Sequence, residues 1–94
     1  MKNEQKIILK KLIDKFGIDN QIEQAHEETI ELALAMKKIM RENNFETKAN
    51  LSDKLADVLI SIEKLKLIFP DLDASIQYQI DLKFDILQYH ALKN

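Results

Sequence analysis

Residues 21–40, QIEQAHEETIELALAMKKIM, decide the fold. Gln21, Ala25, Glu28, Leu32, Ala35 and Ile39 recur at the three-to-four spacing that lines one face of a helix, so the segment reads as an amphipathic helix. Glu28 falls inside that stripe. An ionised carboxylate turned toward an interior costs several kcal/mol or more unless a cation, a donor or a metal compensates it. The stripe therefore predicts both a helix packed on a neighbour and a partner for Glu28.

Helical periodicity extends in both directions. Upstream, Ile7, Ile8, Leu9, Leu12, Ile13 and Phe16 give a short helix over about 3 to 16, stopped by Gly17. Asp19 or Asn20 is the expected cap of the second helix, Asn20 and Glu23 having capping-box spacing, and that helix runs to about Arg41. The polar stretch from Glu42 to Asn50 reads as a connection, with Phe45 as a plug and Asn50 as the next cap. Leu51, Leu55, Val58, Ile62, Leu65 and Phe69 then form a heptad stripe that Pro70 ends, because a helix rarely continues through the residue before proline. Ile60, Leu67 and Ile68 form a second apolar patch roughly opposite, which predicts a helix covered on two sides. A last helix starting at Asp71 or Asp73 carries Ile76, Ile80, Phe84, Leu87 and Ala91 as its inward stripe. The expected class is all-α: one four-helix domain spanning 1–94.

Composition agrees. Of 94 residues, 46% are hydrophobic and 32% charged, with a single glycine and a single proline, which leaves little material for turns between strands. A chain this short buries a modest fraction of its surface, so a homo-oligomer is expected. The net charge of −2 is built from many charges of both signs and gives no overall bias toward nucleic acid or an anionic membrane. Lys2, Lys6, Lys10, Lys11 and Lys15 read as a solvated face. The absence of cysteine excludes disulfides and thiolate metal sites. No apolar run approaches a membrane span and no secretion signal is evident, so the expected location is cytoplasmic.

The acids carry the chemistry. Glu28 and Glu31 lie one turn apart on the second helix, and Glu27 flanks them; Asp53 and Asp57 lie one turn apart on the third. Two acidic helix pairs facing each other build an oxygen-ligand site, and carboxylates without nearby sulfur or imidazole favour magnesium or manganese over zinc. Magnesium usually binds together with substrate phosphates, so the implied chemistry is metal-assisted attack of water on phosphorus. The same E-E-x-x-E spacing also describes a solvated helix edge, and Asp53 also suits a helix N-terminus. Met36 and Met40 read as core filler, His26 and His90 as surface residues.

The order of residues resembles the MazG-like, all-α nucleoside triphosphate pyrophosphohydrolases, especially the short type found in bacteria and their phages. The likeness runs through Phe16-Gly17-Ile18-Asp19-Asn20-Gln21, Glu27-Glu28-Thr29-Ile30-Glu31-Leu32, Leu55-Ala56-Asp57-Val58-Leu59-Ile60 and Glu63-Lys64-Leu65. It implies a four-helix bundle assembled as a homodimer or homotetramer that uses magnesium to hydrolyse a (deoxy)nucleoside triphosphate to monophosphate and pyrophosphate, without nucleic-acid or membrane partners. By position in the family's E-E-x-x-E and E-x-x-D motifs, Glu28, Glu31 and Asp57 match metal-binding acids. Glu27 matches the first acid of the motif, and Glu27 and Glu28 are the candidates for handling the attacking water. Gln21 and Lys83 match residues near the nucleotide.

The chain departs from the pattern at two positions. Lys54 stands where E-x-x-D requires glutamate, and Ile86 where an arginine is expected after Lys83. Asp53 can serve as a substitute ligand only if the helix start is irregular. Lys54 is therefore either a contact for substrate phosphate in a working enzyme or an internal counterion in a catalytically impaired relative that binds a nucleotide or a protein partner.

Overall fold

The computed structural model describes residues 1–93, and every regular element in them is an α-helix: α1 Asn3–Phe16, α2 Ile18–Arg41, α3 Phe45–Ile68 and α4 Leu72–Leu92. A single residue separates α1 from α2. Gly17 takes φ 87° and ψ 157°, a region closed to residues with a Cβ, and its N–H still closes α1 on the Ile13 carbonyl at 2.8 Å. The turn itself starts α2 at Ile18, so Asp19 and Asn20 lie inside the helix rather than capping it.

The connection expected over Glu42 to Asn50 is three residues long. Asn44 caps α3: its Oδ1 accepts from the Thr47 N–H at 2.9 Å, and Thr47 Oγ1 accepts from the Asn44 N–H at 3.0 Å. Thr47 does here what glutamate usually does in a capping box. Asn50 is mid-helix, and Phe45, 86% exposed, plugs nothing. With so short a connection α2 and α3 form an antiparallel hairpin: Glu31 meets Lys54 near mid-length and Gln24 meets Lys64 farther from the turn.

The hairpin interface follows the second-helix reading closely. Gln21, Ala25, Glu28, Leu32, Ala35 and Ile39 are the residues of α2 that are not exposed, and Ala35 is only 1% accessible. Alanines at the contact let the two backbones approach.

On α3 the predicted stripe splits: Leu51, Val58 and Leu65 are half-buried, and polar residues share the inner face with them. Lys54, Asp57, Ser61 and Lys64 turn toward α2, with Ser61 and Lys64 buried, while Leu55, Ile62 and Phe69 of the predicted inward stripe are exposed. The polar face of α3 meets the acid-bearing face of α2, with Lys54 paired to Glu31 at 3.2 Å. α1 lies against both hairpin helices and contributes Leu9 as its buried residue.

α4 differs from the rest. It touches the remainder of the chain through α3, anchored by Lys66, whose ammonium bridges Asp73 at 3.1 Å and Glu63 at 3.7 Å. Leu72 and Ile76 are half-buried; the rest of the predicted inward stripe, Ile80, Phe84, Leu87 and Ala91, is exposed in the single chain. None of the four helices is long and apolar enough to cross a membrane.

Candidate metal centre

The seam between α2 and α3 holds the chemistry. Glu28 and Glu31 project from successive turns of α2 and Asp57 from the facing turn of α3, so that one oxygen from each lies within 4.8 Å of the others. The hairpin produces this convergence: 28 belongs to the inner stripe of α2, 57 to the inner face of α3, and antiparallel pairing sets them opposite each other.

The Glu28 carboxyl is pushed above its ordinary range, first by its removal from water and then by the charges of Asp57 and Glu31, with Lys54 acting in the opposite sense. Glu28 Oε2 is buried and meets no hydrogen-bond donor. A buried acceptor left unpaired is costly, and it marks the point in the cluster where positive charge is missing.

Lys54 supplies part of that charge. Its Nζ donates to Glu31 Oε2 at 3.2 Å and lies 3.6 Å from Asp53 Oδ2. The hydrogen bond to Glu31, then the Glu31 charge, hold the ammonium above the usual lysine range, assisted by Asp53 and Asp57. Glu31 is thus compensated and Glu28 is not.

The donor set fits a hard divalent cation: three carboxylate oxygens, no sulfur or imidazole, and a Glu28 carboxylate with a buried oxygen that has no hydrogen-bond partner. Glu28, Glu31 and Asp57 are the residues that would hold it. Lys54 would have to release Glu31 or share it.

The other predicted site residues fall outside the triad. Glu27 is exposed on the flank of α2, and Asp53 is exposed and faces Lys54 from the outer side. Lys83 is exposed on α4, the helix that stands apart from the seam. Gln21 lies two turns from Glu28 along the same stripe. It is 3% accessible; its Nε2 donates to Asn20 Oδ1 at 3.2 Å and its Oε1 is buried without a partner.

Two seam residues, Ser61 and Lys64, were not anticipated. Lys64 is 7% accessible, and its Nζ donates to Gln24 Oε1 at 3.3 Å, a neutral acceptor rather than a carboxylate. Their signal was present in the sequence as the spacing 54, 57, 61, 64, a helical stripe made of polar residues. Comparison of the chain with protein families, with curated proteins and with solved structures returns no match.

Proposed function

We propose that the α2–α3 seam binds a nucleoside triphosphate together with magnesium or manganese, and that the chain hydrolyses it to monophosphate and pyrophosphate, the activity of the MazG-like enzymes its sequence resembles. The observation that carries this reading is the convergence of Glu28, Glu31 and Asp57 within 4.8 Å from two helices. When bound, the cation neutralises phosphate oxygens and draws electron density from the phosphorus under attack.

The chain's own residues divide the remaining work. Glu28 would hold the cation through one carboxylate oxygen and take the proton of the attacking water on the other. Water oxygen bonds to phosphorus, the bridging oxygen between the α and β phosphates leaves with pyrophosphate, and the proton rests on Glu28 until it is lost to solvent. Asp57 and Glu31 orient the cation-bound substrate, and Lys54, released from Glu31, can turn its ammonium to a phosphate oxygen.

A second reading is favoured by one specific contact, the 3.2 Å pair between Lys54 and Glu31. There the ammonium stands in for the divalent ion, and the seam binds the nucleotide or a protein partner without turnover. Pyrophosphate release, followed across the common ribo- and deoxynucleotides with and without magnesium, separates the two. Metal-dependent release that disappears in Asp57→Asn supports hydrolysis. Nucleotide binding without release supports the second reading, and neither binding nor release ends both nucleotide readings.

A further inference from the structure

Most of α4 is written with a two-residue period. Residues 72–86, LDASIQYQIDLKFDI, alternate apolar and polar side chains without a break. Strict alternation over about 4–8 residues is already the signature of a strand with one buried face, and this run is longer. As a helix the segment has no single inner face. Ile76, Ile80 and Phe84 rise along one side, Tyr78, Leu82 and Ile86 along the side about 200° away, and polar residues fall between the two. As a strand, all the apolar side chains share one face. Three isoleucines, a tyrosine and a phenylalanine among them are residues that suit a pleated sheet.

The helix draws little from the rest of the chain. Leu72 and Ile76 are half-buried, and everything from Gln77 to Lys93 is exposed. The Asp71 side chain makes no cap bond, and α3 is the one neighbour of α4 among the described residues. Its side-chain ties are the Lys66–Asp73 ion pair at 3.1 Å and a hydrogen bond from Gln77 to Asp81 at 3.0 Å within the helix. Isolated helices are marginal in water, and most are held by the packing of one apolar face. α2 meets that condition with its coherent stripe; α4 does not. A helical backbone here carries a strand-forming order of residues, and pattern weighs heavily where local signals conflict.

We infer that residues 72–86 are a two-state element: a helix resting on α3 in the free chain, and an extended strand when the same segments of several chains stack in cross-β order. The other described elements are helical and offer no strand edge, so the matching row of N–H and C=O groups comes from the same segment of another molecule. Pro70, which lacks an N–H, bounds the strand on its upstream side. Charge sets the threshold. Asp73, Asp81 and Asp85 against Lys83 leave each segment net negative, so stacked copies repel, and Lys66 holds Asp73 in the helical state. Salt weakens both the repulsion and the exposed end of that ion pair, and so favours the strand. The change is one of secondary structure, distinct from the packing of folded helices between subunits, and it is independent of nucleotide chemistry at the seam.

The test uses the full chain, agitated below its melting temperature at rising sodium chloride. Assemblies that bind thioflavin T and diffract at about 4.7–4.8 Å and 10 Å are expected. Their lag is expected to shorten on the order of tenfold toward 1 M salt, where the Debye length is about 3 Å. Proteolysis of the assemblies, read by mass spectrometry, is expected to leave a protected core containing residues 72–86. The double exchange Leu82→Lys with Lys83→Leu keeps the composition and two good helix formers but breaks the alternation, and is expected to lengthen the lag about tenfold or more with the helical circular dichroism of the fresh protein unchanged. Should the exchange unfold the chain, Asp81→Asn, which keeps the alternation and removes one repelling charge, is expected to shorten the lag. Wild-type protein that keeps its full helical signal at every salt concentration overturns the inference. So does a protected core elsewhere in the chain, an exchange variant that converts as fast as wild type, or an Asp81→Asn lag no shorter than that of wild type.

Discussion

The two faces of α3 contrast sharply. The face turned to α2 carries Lys54, Asp57, Ser61 and Lys64; the face turned to solvent carries Leu55, Leu59 and Ile62. In a monomer that folds for its own stability the two would be exchanged, since burial of apolar surface is the dominant favourable term in folding. Polar groups of α3 occupy the intrachain seam although apolar ones would pack there at lower cost, while the apolar outer face of α3 and most of α4 are exposed in the single chain.

The contrast breaks first at Ala35. A larger side chain where the α2 and α3 backbones touch forces the hairpin apart: Ala35→Leu is expected to cost about 1–3 kcal/mol in urea melts and to abolish cation binding with it, since the triad exists only while the hairpin is closed. The same substitution at the exposed Ala33 is expected to leave both unchanged.

Lys54→Glu sharpens the contrast from the other side. It restores a fourth carboxylate and frees Glu31, so magnesium affinity is expected to rise about tenfold, roughly 1.4 kcal/mol, while the metal-free protein loses stability through added repulsion. Magnesium affinity unchanged by the substitution, read by calorimetry, would show that Lys54 is not the counterion of this cluster.

The smallest effect is that of Glu28→Gln. Because the folded pKa of Glu28 lies above its ordinary value of 4.5, the native state holds a proton more tightly than the unfolded state. The resulting penalty is complete above the raised pKa and is relieved as pH falls toward 4.5. Metal-free Glu28→Gln is therefore expected to melt a few degrees higher than wild type at neutral pH and to show no advantage below pH 4.5. Equal melting temperatures at both pH values would place Glu28 in an ordinary aqueous environment.

The all-helical class, the ends of α1 and the full inner stripe of α2 could be read from the sequence because each rests on local periodicity and a single glycine. The position of Glu28 in that stripe followed from the same arithmetic, whereas the grouping of Asp57 with Glu28 and Glu31 came from the family resemblance. The start of α3 could not be read as easily: Asn44 and Asn50 are both good caps, and the reciprocal bonds to Thr47 that favour the first are visible only in three dimensions. Nor could the facing of α3. Hydrophobic stripes reveal which residues can leave water, not which neighbour covers them: of the α3 stripe Leu51, Val58 and Leu65 are half-buried while Leu55, Ile62 and Phe69 are exposed, and of the α4 stripe Ile76 alone is half-buried. The burial of Lys64 is illegible for the related reason that a polar stripe reads as solvent-facing unless a helix packs against it.

Calorimetric titration of the wild-type chain with magnesium, in the presence of a deoxynucleoside triphosphate analogue whose α–β bridge resists hydrolysis, tests the seam most directly. Saturable joint binding of metal and nucleotide, lost in Asp57→Asn and strengthened in Lys54→Glu, is the predicted result. No heat from either ligand, alone or together, with the hairpin intact by circular dichroism, would contradict it.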